Sequence, residues 1–185
     1  MGKASRRTDA ELDALYEQVP VIECQGLCTD SCGPVEGGHR EMVRIRQAGV
    51  RLPDRDQALR QMIANDGEYT CPALADGRCS VYAVRPMICR IWGVSDDLPC
   101  PYDCPILLGG RRLTTAESLA LIEAARTAGT AERPLTVAEF EAMLKHPTAR
   151  AVYRRLISRP TATHPLLRGR ARPAGRDAPR GTGPA

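Results

Sequence analysis

Apolar residues recur at helical spacing through the first third of the chain, and breaks in the pattern divide it into three segments. Apolar residues three and four positions apart line one face of a helix, which predicts helices over about residues 8–18, 39–47 and 54–65. Thr8 and the acidic residues after it suit the start of the first helix, and Pro20 ends it. The N-terminal third is therefore expected to be helices joined by loops.

Two capping boxes mark helix starts nearer the C-terminus. In each, a threonine is followed three residues later by a glutamate, and each side chain accepts a hydrogen bond from the other residue's backbone. One box spans residues 114–117 and opens a helix that stops at Gly129, and the other spans residues 136–139. A last amphipathic stretch predicts a helix from about residue 148 to 158.

The region between these helical parts lacks a sustained period. Residues 68–108 contain five cysteines and five prolines, a composition that favours short strands and turns. The best strand candidates are Tyr69–Pro72 and Arg90–Val94. The patterns together predict one mainly α domain with a loop-rich cysteine module that contains a few short strands.

Length and composition agree with a single domain that carries extensions. The 185 residues fall in the usual range of roughly 100 to 200 for one domain, and an aromatic content of 4% means that the core must be mostly aliphatic. We divide the chain into an N-terminal helix (1–21), a cysteine-cluster module (22–108), C-terminal helices packed on that module (109–159) and an Arg/Pro/Gly-rich tail (160–185). The tail has too few apolar residues to offset its ordering entropy and is predicted to be disordered.

The formal net charge of +4 is concentrated in that tail. The tail has a single acid, Asp177, and the rest of the chain is balanced in charge, so its composition gives no support for binding of nucleic acid. The tail is suited at most to weak contact with polyanions, or it is simply a solvated end; both interpretations stay open. Its basic residues are Arg168, Arg170, Arg172, Arg176 and Arg180.

Sequence signals favour a location in the cytoplasm. No apolar stretch approaches the ~20 residues of a membrane-spanning helix, so no membrane partner is expected. The pair Arg6-Arg7 is typical of twin-arginine signals, but acidic residues at 9, 11 and 13 stand where the apolar region would be. Thiols in the cytoplasm are kept reduced.

Cysteines are the most informative feature of the sequence. Eight of them lie within residues 24–104, and reduced thiols at this density indicate metal rather than disulfides. Four thiolates satisfy a tetrahedral zinc ion or an iron–sulfur cluster. The module is therefore predicted to be stapled by metal, and all eight cysteines are candidate ligands: Cys24, Cys28, Cys32, Cys71, Cys79, Cys89, Cys100 and Cys104.

Spacing groups these candidates along the chain. The three within residues 24–32 and the three within residues 71–89 are expected to bind most strongly, and Cys100 and Cys104 would complete a second site. Two alternatives stay open. A disulfide scaffold would need an oxidising compartment, and the last two cysteines could instead be buried free thiols that act as small apolar residues.

Three short segments carry a family resemblance: CPAL at residues 71–74, CSVY at 79–82 and RPMICR at 85–90. They resemble the C-P-x-L…C-s-x-Y-x-x-R-P-x-x-C-R signature of the YkgJ-like cysteine cluster proteins, which are described as zinc- or iron-chelating domains. With the upstream cysteines the resemblance covers about residues 22–104. The family usually opens with adjacent cysteines, whereas this sequence has CTDSC at residues 28–32. The resemblance implies metal chelation and brings no defined reaction.

The choice between zinc, iron and an iron–sulfur cluster stays open. The sequence has no C-x2-C knuckle, which most structural zinc sites use. Proline follows Cys71, Cys100 and Cys104, as it follows a cluster ligand in bacterial ferredoxins. A zinc or iron ion is our main cofactor prediction, and an iron–sulfur cluster is the alternative.

Two arginines flank one of the cysteines in the family signature. Four thiolates around a divalent ion leave a negative site, and Arg85 and Arg90 beside Cys89 could offset that charge by donating hydrogen bonds to sulfur. The alternative is that they pair at the surface with Asp96 or Asp97.

No catalytic constellation accompanies the cysteines. The chain has no Ser-His-Asp arrangement, P-loop or G-x-G-x-x-G motif, and His39 is expected to start a helix rather than to bind metal. Three hypotheses follow: a metal-binding protein with no assigned reaction, an iron–sulfur redox protein or enzyme, and an interaction adaptor whose metal is structural. No protein partner is predicted.

Overall fold

The computed structural model describes residues 2–26, 32–107 and 110–157, and seven α-helices lie in these ranges. None of these helices combines the length and the apolar character needed to cross a membrane. The mainly α fold with a few short strands is confirmed, whereas Cys28 and the predicted tail lie outside the described residues. The helices are α1 (Lys3–Tyr16), α2 (His39–Gln47), α3 (Arg55–Ala64), α4 (Met87–Ile91), α5 (Thr115–Thr127), α6 (Val137–Lys145) and α7 (Pro147–Ile157).

Both predicted capping boxes are confirmed at the starts of α5 and α6. Thr114 Oγ1 accepts a hydrogen bond from Glu117 N at 3.3 Å, and Glu117 Oε2 accepts one from Thr114 N at 2.8 Å. Thr136 and Glu139 form the same pair of bonds. These bonds satisfy backbone N–H groups that lack a partner within the helix, so the helix starts are fixed locally.

The predicted start of α1 at Thr8 was wrong, because the helix begins five residues earlier, at Lys3. Thr8 does not cap the helix. Its Oγ1 donates to Ala4 O at 3.2 Å, a bond back to the preceding turn that is typical of a threonine inside a helix.

The predicted strands at residues 69–72 and 90–94 were also wrong. The hairpin lies between these segments: β1 (Leu74–Ala75) pairs antiparallel with β2 (Arg78–Cys79), and Leu74 is opposite Cys79. Asp76 and Gly77 join the strands with φ of 50° and 72°, the conformation of the two-residue turn that Asp-Gly favours. Arg90 belongs instead to α4, and Val94 makes only an isolated bridge.

Two separate apolar clusters form the interior of the described structure. The larger one unites α1, α4 and α5, and Leu12, Ile91 and Ala125 at its centre are fully buried. The smaller one centres on Ile45 and includes two residues beside the hairpin, Ala73 and Val81. Helices α6 and α7 extend the helical layer outward from α5.

A buried carboxylate joins three helices between these clusters. Glu41, 2% exposed, accepts hydrogen bonds through Oε1 from Tyr16 OH at 2.8 Å and from Met87 N at 2.7 Å. Its Oε2 accepts from Gly38 N at 2.8 Å. One side chain of α2 thereby holds the end of α1 and the first residue of α4, the helix that carries Cys89.

Candidate metal centre

Three cysteines from distant parts of the chain lie within electrostatic range of Cys89, and we call the four together the hairpin cluster: Cys32, Cys71, Cys79 and Cys89. Cys71 precedes β1, Cys79 lies in β2, and Cys89 is the third residue of α4. The thiols of Cys32, Cys71 and Cys79 all lie within electrostatic range of Cys89. All four cysteines are partly buried, and Cys71 and Cys79 pack against the smaller apolar cluster.

Backbone hydrogen bonds shape the turn that presents the first hairpin thiol. Leu74 N donates to Cys71 O at 2.9 Å, and Ala73 N donates to the Cys71 sulfur. Ser80 clamps this turn to β2, because its N and Oγ both donate to Ala73 O, at 2.8 and 2.9 Å. An N–H directed at sulfur stabilises a thiolate, so the turn favours the ionised form of Cys71.

Electrostatics oppose a fully ionised hairpin cluster when no cation is present. Burial, the largest cause, acts with the Cys71, Cys79 and Cys32 thiols to raise the pKa of Cys89 to about 12, against the opposing charge of Arg85. Burial likewise raises the pKa of Cys71, and Cys79 adds to that increase. A bound divalent cation inverts this balance because it favours thiolates. The cluster therefore has the donor chemistry of a metal site that releases protons on loading.

Arg85 is placed to act on the thiols. Its guanidinium carbon lies 3.6 Å from the centroid of the Tyr82 ring, and its charge lowers the pKa of Cys89. The Arg85 Nε is buried and has no hydrogen-bond partner within the described residues. An N–H in this position can donate to a thiolate.

The Arg90 side chain contacts backbone carbonyls and an aromatic ring. Its guanidinium donates to Arg85 O at 3.0 Å and to Ala83 O at 2.6 Å, and it lies 3.9 Å from the centroid of the Tyr16 ring. These contacts fasten the segment before α4 to α1. In the structure Arg90 thus supports the segment that carries Arg85.

Three other cysteines belong to segments that are joined just beyond the C-terminal end of α4, and we call them the loop cluster: Cys24, Cys100 and Cys104. Two backbone bonds bring their segments together: Glu23 N donates to Pro105 O at 2.9 Å, and Leu107 N donates to Val21 O at 2.8 Å. Cys24 is exposed, whereas Cys100 and Cys104 are buried. The three cysteines therefore combine two interior thiols with one that faces solvent.

Cys100 and Cys104 share a hydrogen bond between their thiols. Burial alone would raise the pKa of Cys100, but hydrogen bonds from Cys104 N, Tyr102 N and the Cys104 thiol lower it overall. Gln25 N donates to the Cys104 sulfur, but burial and the neighbouring Cys100 outweigh it and raise the pKa of Cys104. Cys24 lies within electrostatic range of Cys104 as well.

Two residues that position the segments of the loop cluster, Gly93 and Asp97, were not predicted from the sequence. Gly93 has a φ of 94°, and a Cβ added there would lie 2.9 Å from Ile22 Cδ1 and 3.5 Å from Cys100 Cβ. The sequence does contain a signal for this close approach, because a glycine inside a predicted strand often marks a place where another segment packs closely. The second support is Asp97, which accepts hydrogen bonds from Thr115 Oγ1 and from Tyr153 OH, and thereby ties the segment before Cys100 to α5 and α7.

The grouping in space differs from the grouping along the chain. Cys24 and Cys32, eight residues apart, belong to different clusters. His39 begins α2 and is exposed, as expected. Across residues 2–26, 32–107 and 110–157, no three His, Cys, Asp or Glu side chains stand in an arrangement that could hold a metal ion.

Comparisons with protein-family models, curated proteins and solved structures return no match for this chain.

Proposed function

We propose that this chain is a metal-binding protein of the YkgJ-like cysteine-cluster type, which holds zinc or iron through thiolates in the reducing cytoplasm. The observation that carries the proposal is the hairpin cluster. It brings Cys32, Cys71 and Cys79, which are up to 57 residues from Cys89 in the sequence, within electrostatic range of the partly buried Cys89 thiol. Four thiols suit a tetrahedral zinc or iron ion.

The surroundings of the cluster support a metal more than free thiols. Buried thiols that act only as small apolar residues need no N–H directed at sulfur, yet Ala73 N donates to Cys71. Four thiolates and a divalent ion carry a charge of about −2. The Arg85 guanidinium supplies positive charge that acts on Cys89, and its buried Nε–H has no partner among the described residues. The residues present thus fit the group that the proposal needs.

The same four thiols suit an iron–sulfur cluster, which would make the chain a redox protein. Arg85 is the observation that favours this second candidate, because hydrogen bonds to cluster sulfur tune reduction potential. An interaction adaptor with structural metal is the third proposal; it would share the metal content of the first and differ in its need for a partner.

Metal analysis of anaerobically purified protein tests these proposals. Zinc with a featureless visible spectrum supports the first, and iron with acid-labile sulfide and absorbance near ~400 nm supports the second. Cys79→Ser and Cys89→Ser should each lower bound metal, since serine lacks the charge and the softness of thiolate. His39→Ala, at an exposed helix start, is the matched control and should keep full occupancy. Metal-free protein with eight titratable thiols would contradict both forms of the proposal.

A further inference from the structure

We infer that Cys24, Cys100 and Cys104 form a second metal site, separate from the hairpin cluster, which holds a thiophilic cation such as Zn²⁺ in readily exchangeable form. This inference rests on the proposed function, because it assumes that thiols of this chain bind metal. It goes further by assigning two metal sites. The hairpin cluster would hold its metal ion away from solvent, and the loop cluster would leave its metal ion accessible to outside ligands.

The two clusters are built on different parts of the interior. Cys71 and Cys79 pack against the smaller apolar cluster around Ile45. The loop cluster is flanked by Ile22 and Ile106, which pair in an isolated bridge and pack on the larger apolar cluster instead.

The two groups lie towards different ends of α4. Cys89 lies in its first turn, whereas Gly93, just beyond its end, faces Cys100. Between them Ile91 is fully buried. The electrostatic interactions show the same division. The thiols of the hairpin cluster affect the pKa of Cys89, whereas Cys100 and Cys24 affect the pKa of Cys104. We therefore assign each group its own metal ion.

Backbone donors prepare the loop cluster for thiolates. Tyr102 N and Cys104 N donate to the Cys100 sulfur, and Gln25 N donates to the Cys104 sulfur. Asp103, with a φ of 51°, closes the turn between the two cysteines through a bond from its N to Cys100 O at 3.2 Å. Backbone N–H groups directed at two neighbouring sulfurs would orient and stabilise them as thiolate ligands.

Access distinguishes this site from the hairpin cluster. Cys100 and Cys104 are 7% and 5% exposed, but Cys24 is exposed and lies on the solvent side. Three protein thiolates leave one coordination position of a tetrahedral ion for an outside ligand, the arrangement of zinc sites that exchange ligands. Cys24 can leave the ion first, so a competing chelator has a path to the metal.

Zinc loading of the full-length apoprotein tests the assignment. Under anaerobic conditions, wild type should bind two equivalents of Zn²⁺, and a chromogenic chelator should remove one quickly and the other at least about tenfold more slowly. The double variant Cys100→Ser/Cys104→Ser should keep one equivalent and lose the fast phase. Cys71→Ser/Cys79→Ser should keep one equivalent and lose the slow phase.

Other outcomes separate failure of this inference from failure of the proposed function. One equivalent in wild type that Cys100→Ser/Cys104→Ser leaves unchanged would overturn the second site and leave the proposed function standing. Loss of both equivalents in either double variant would show one shared site. No zinc bound by wild type would reject the proposed function itself.

A measurement on wild type guards against variants that misfold. Protein loaded with one equivalent and with two equivalents is alkylated with iodoacetamide, and the modified peptides are mapped by mass spectrometry. The tighter equivalent should protect Cys71, Cys79 and Cys89, and protection of Cys100 and Cys104 should appear only with the second. Simultaneous protection of all five, or a Cys100–Cys104 disulfide in the anaerobic apoprotein, would overturn the inference.

Discussion

Gly38→Ala tests the close approach of the start of α2 to the backbone of α5. Gly38 is the residue before α2, and its N–H donates to Glu41 Oε2. Alanine keeps this N–H and is compatible with the backbone φ of −59°, so the change adds only a methyl group. That methyl group would overlap Ala125 O and lie 2.9 Å from Arg126 Cα.

The loss of stability in Gly38→Ala can be estimated from the atoms that the new methyl group would contact. They belong to the backbone of α5, so no side chain can rotate away, and α2 or α5 must shift. Overpacking of this kind costs about 1–3 kcal/mol. Alanine also lowers the conformational entropy of the unfolded chain, which stabilises the folded state by about 0.4–1 kcal/mol. We therefore expect a net loss of about 1–2 kcal/mol, or roughly 2–8 °C in Tm for a chain of this size.

Gly33→Ala is the matched control, because nothing lies within 4 Å of the position that its Cβ would take. Urea unfolding and thermal melts of both variants are followed by circular dichroism at one fixed concentration of free zinc. Gly33→Ala should melt at or slightly above the wild-type temperature. Equal midpoints for the two variants would refute the close approach of α2 to α5.

Two further predictions concern charged groups of the scaffold. Glu41→Gln should lower the free energy of unfolding by about 1–3 kcal/mol, because an amide cannot accept from all three buried donors; exposed Glu11→Gln is the control, and equal urea midpoints for the two variants would contradict this. The hydrogen bond from Arg40 is the largest cause that holds the pKa of Asp9 at about 2, so Asp9 contributes stability above its unfolded pKa near 4. The stability difference between wild type and Asp9→Asn should therefore be constant at neutral pH and shrink as the pH falls from about 4 to about 2; a difference that does not depend on pH would contradict it.

Sequence patterns predicted the helices because the interactions that define their ends are local. Asp54 and Gln57 form a capping box at the start of α3, as Thr114 and Glu117 do for α5. All these contacts span three residues. Thr8 shows the limit of such signals, since the same side chain can cap a helix or bond to the turn before it, and here it does the latter.

The hairpin was missed although its turn was visible in the sequence. Asp76-Gly77 is a strong hairpin signal, but strands of two residues give no alternation of polar and apolar positions to support it. Cys71 and Cys79 owe their proximity to this turn. A prediction that gave more weight to Asp-Gly than to β-rich composition would have brought these two thiols together.

The division of the cysteines could not have been predicted from spacing. Cys24 lies near Cys104, 80 residues away, because backbone bonds from Glu23 and Leu107 join their segments. Cys32 lies within range of Cys89, because α2 and α4 meet through Glu41. Such contacts depend on the packing of helices whose order in space is not encoded in any local pattern.

The two apolar clusters give metal a local role in stability. Among the described residues, the larger cluster contains no cysteine, and Leu12, Ile91 and Ala125 from three helices are fully buried in it. In the part of the chain that the structure describes, the smaller cluster has three buried members, and two of its partly buried neighbours are Cys71 and Cys79. Burial of so few side chains offsets little of the entropy lost in ordering the hairpin. We therefore expect metal to stabilise the hairpin far more than the helical core, and Glu41, which joins the core to α4, to keep Cys89 in place when the metal leaves.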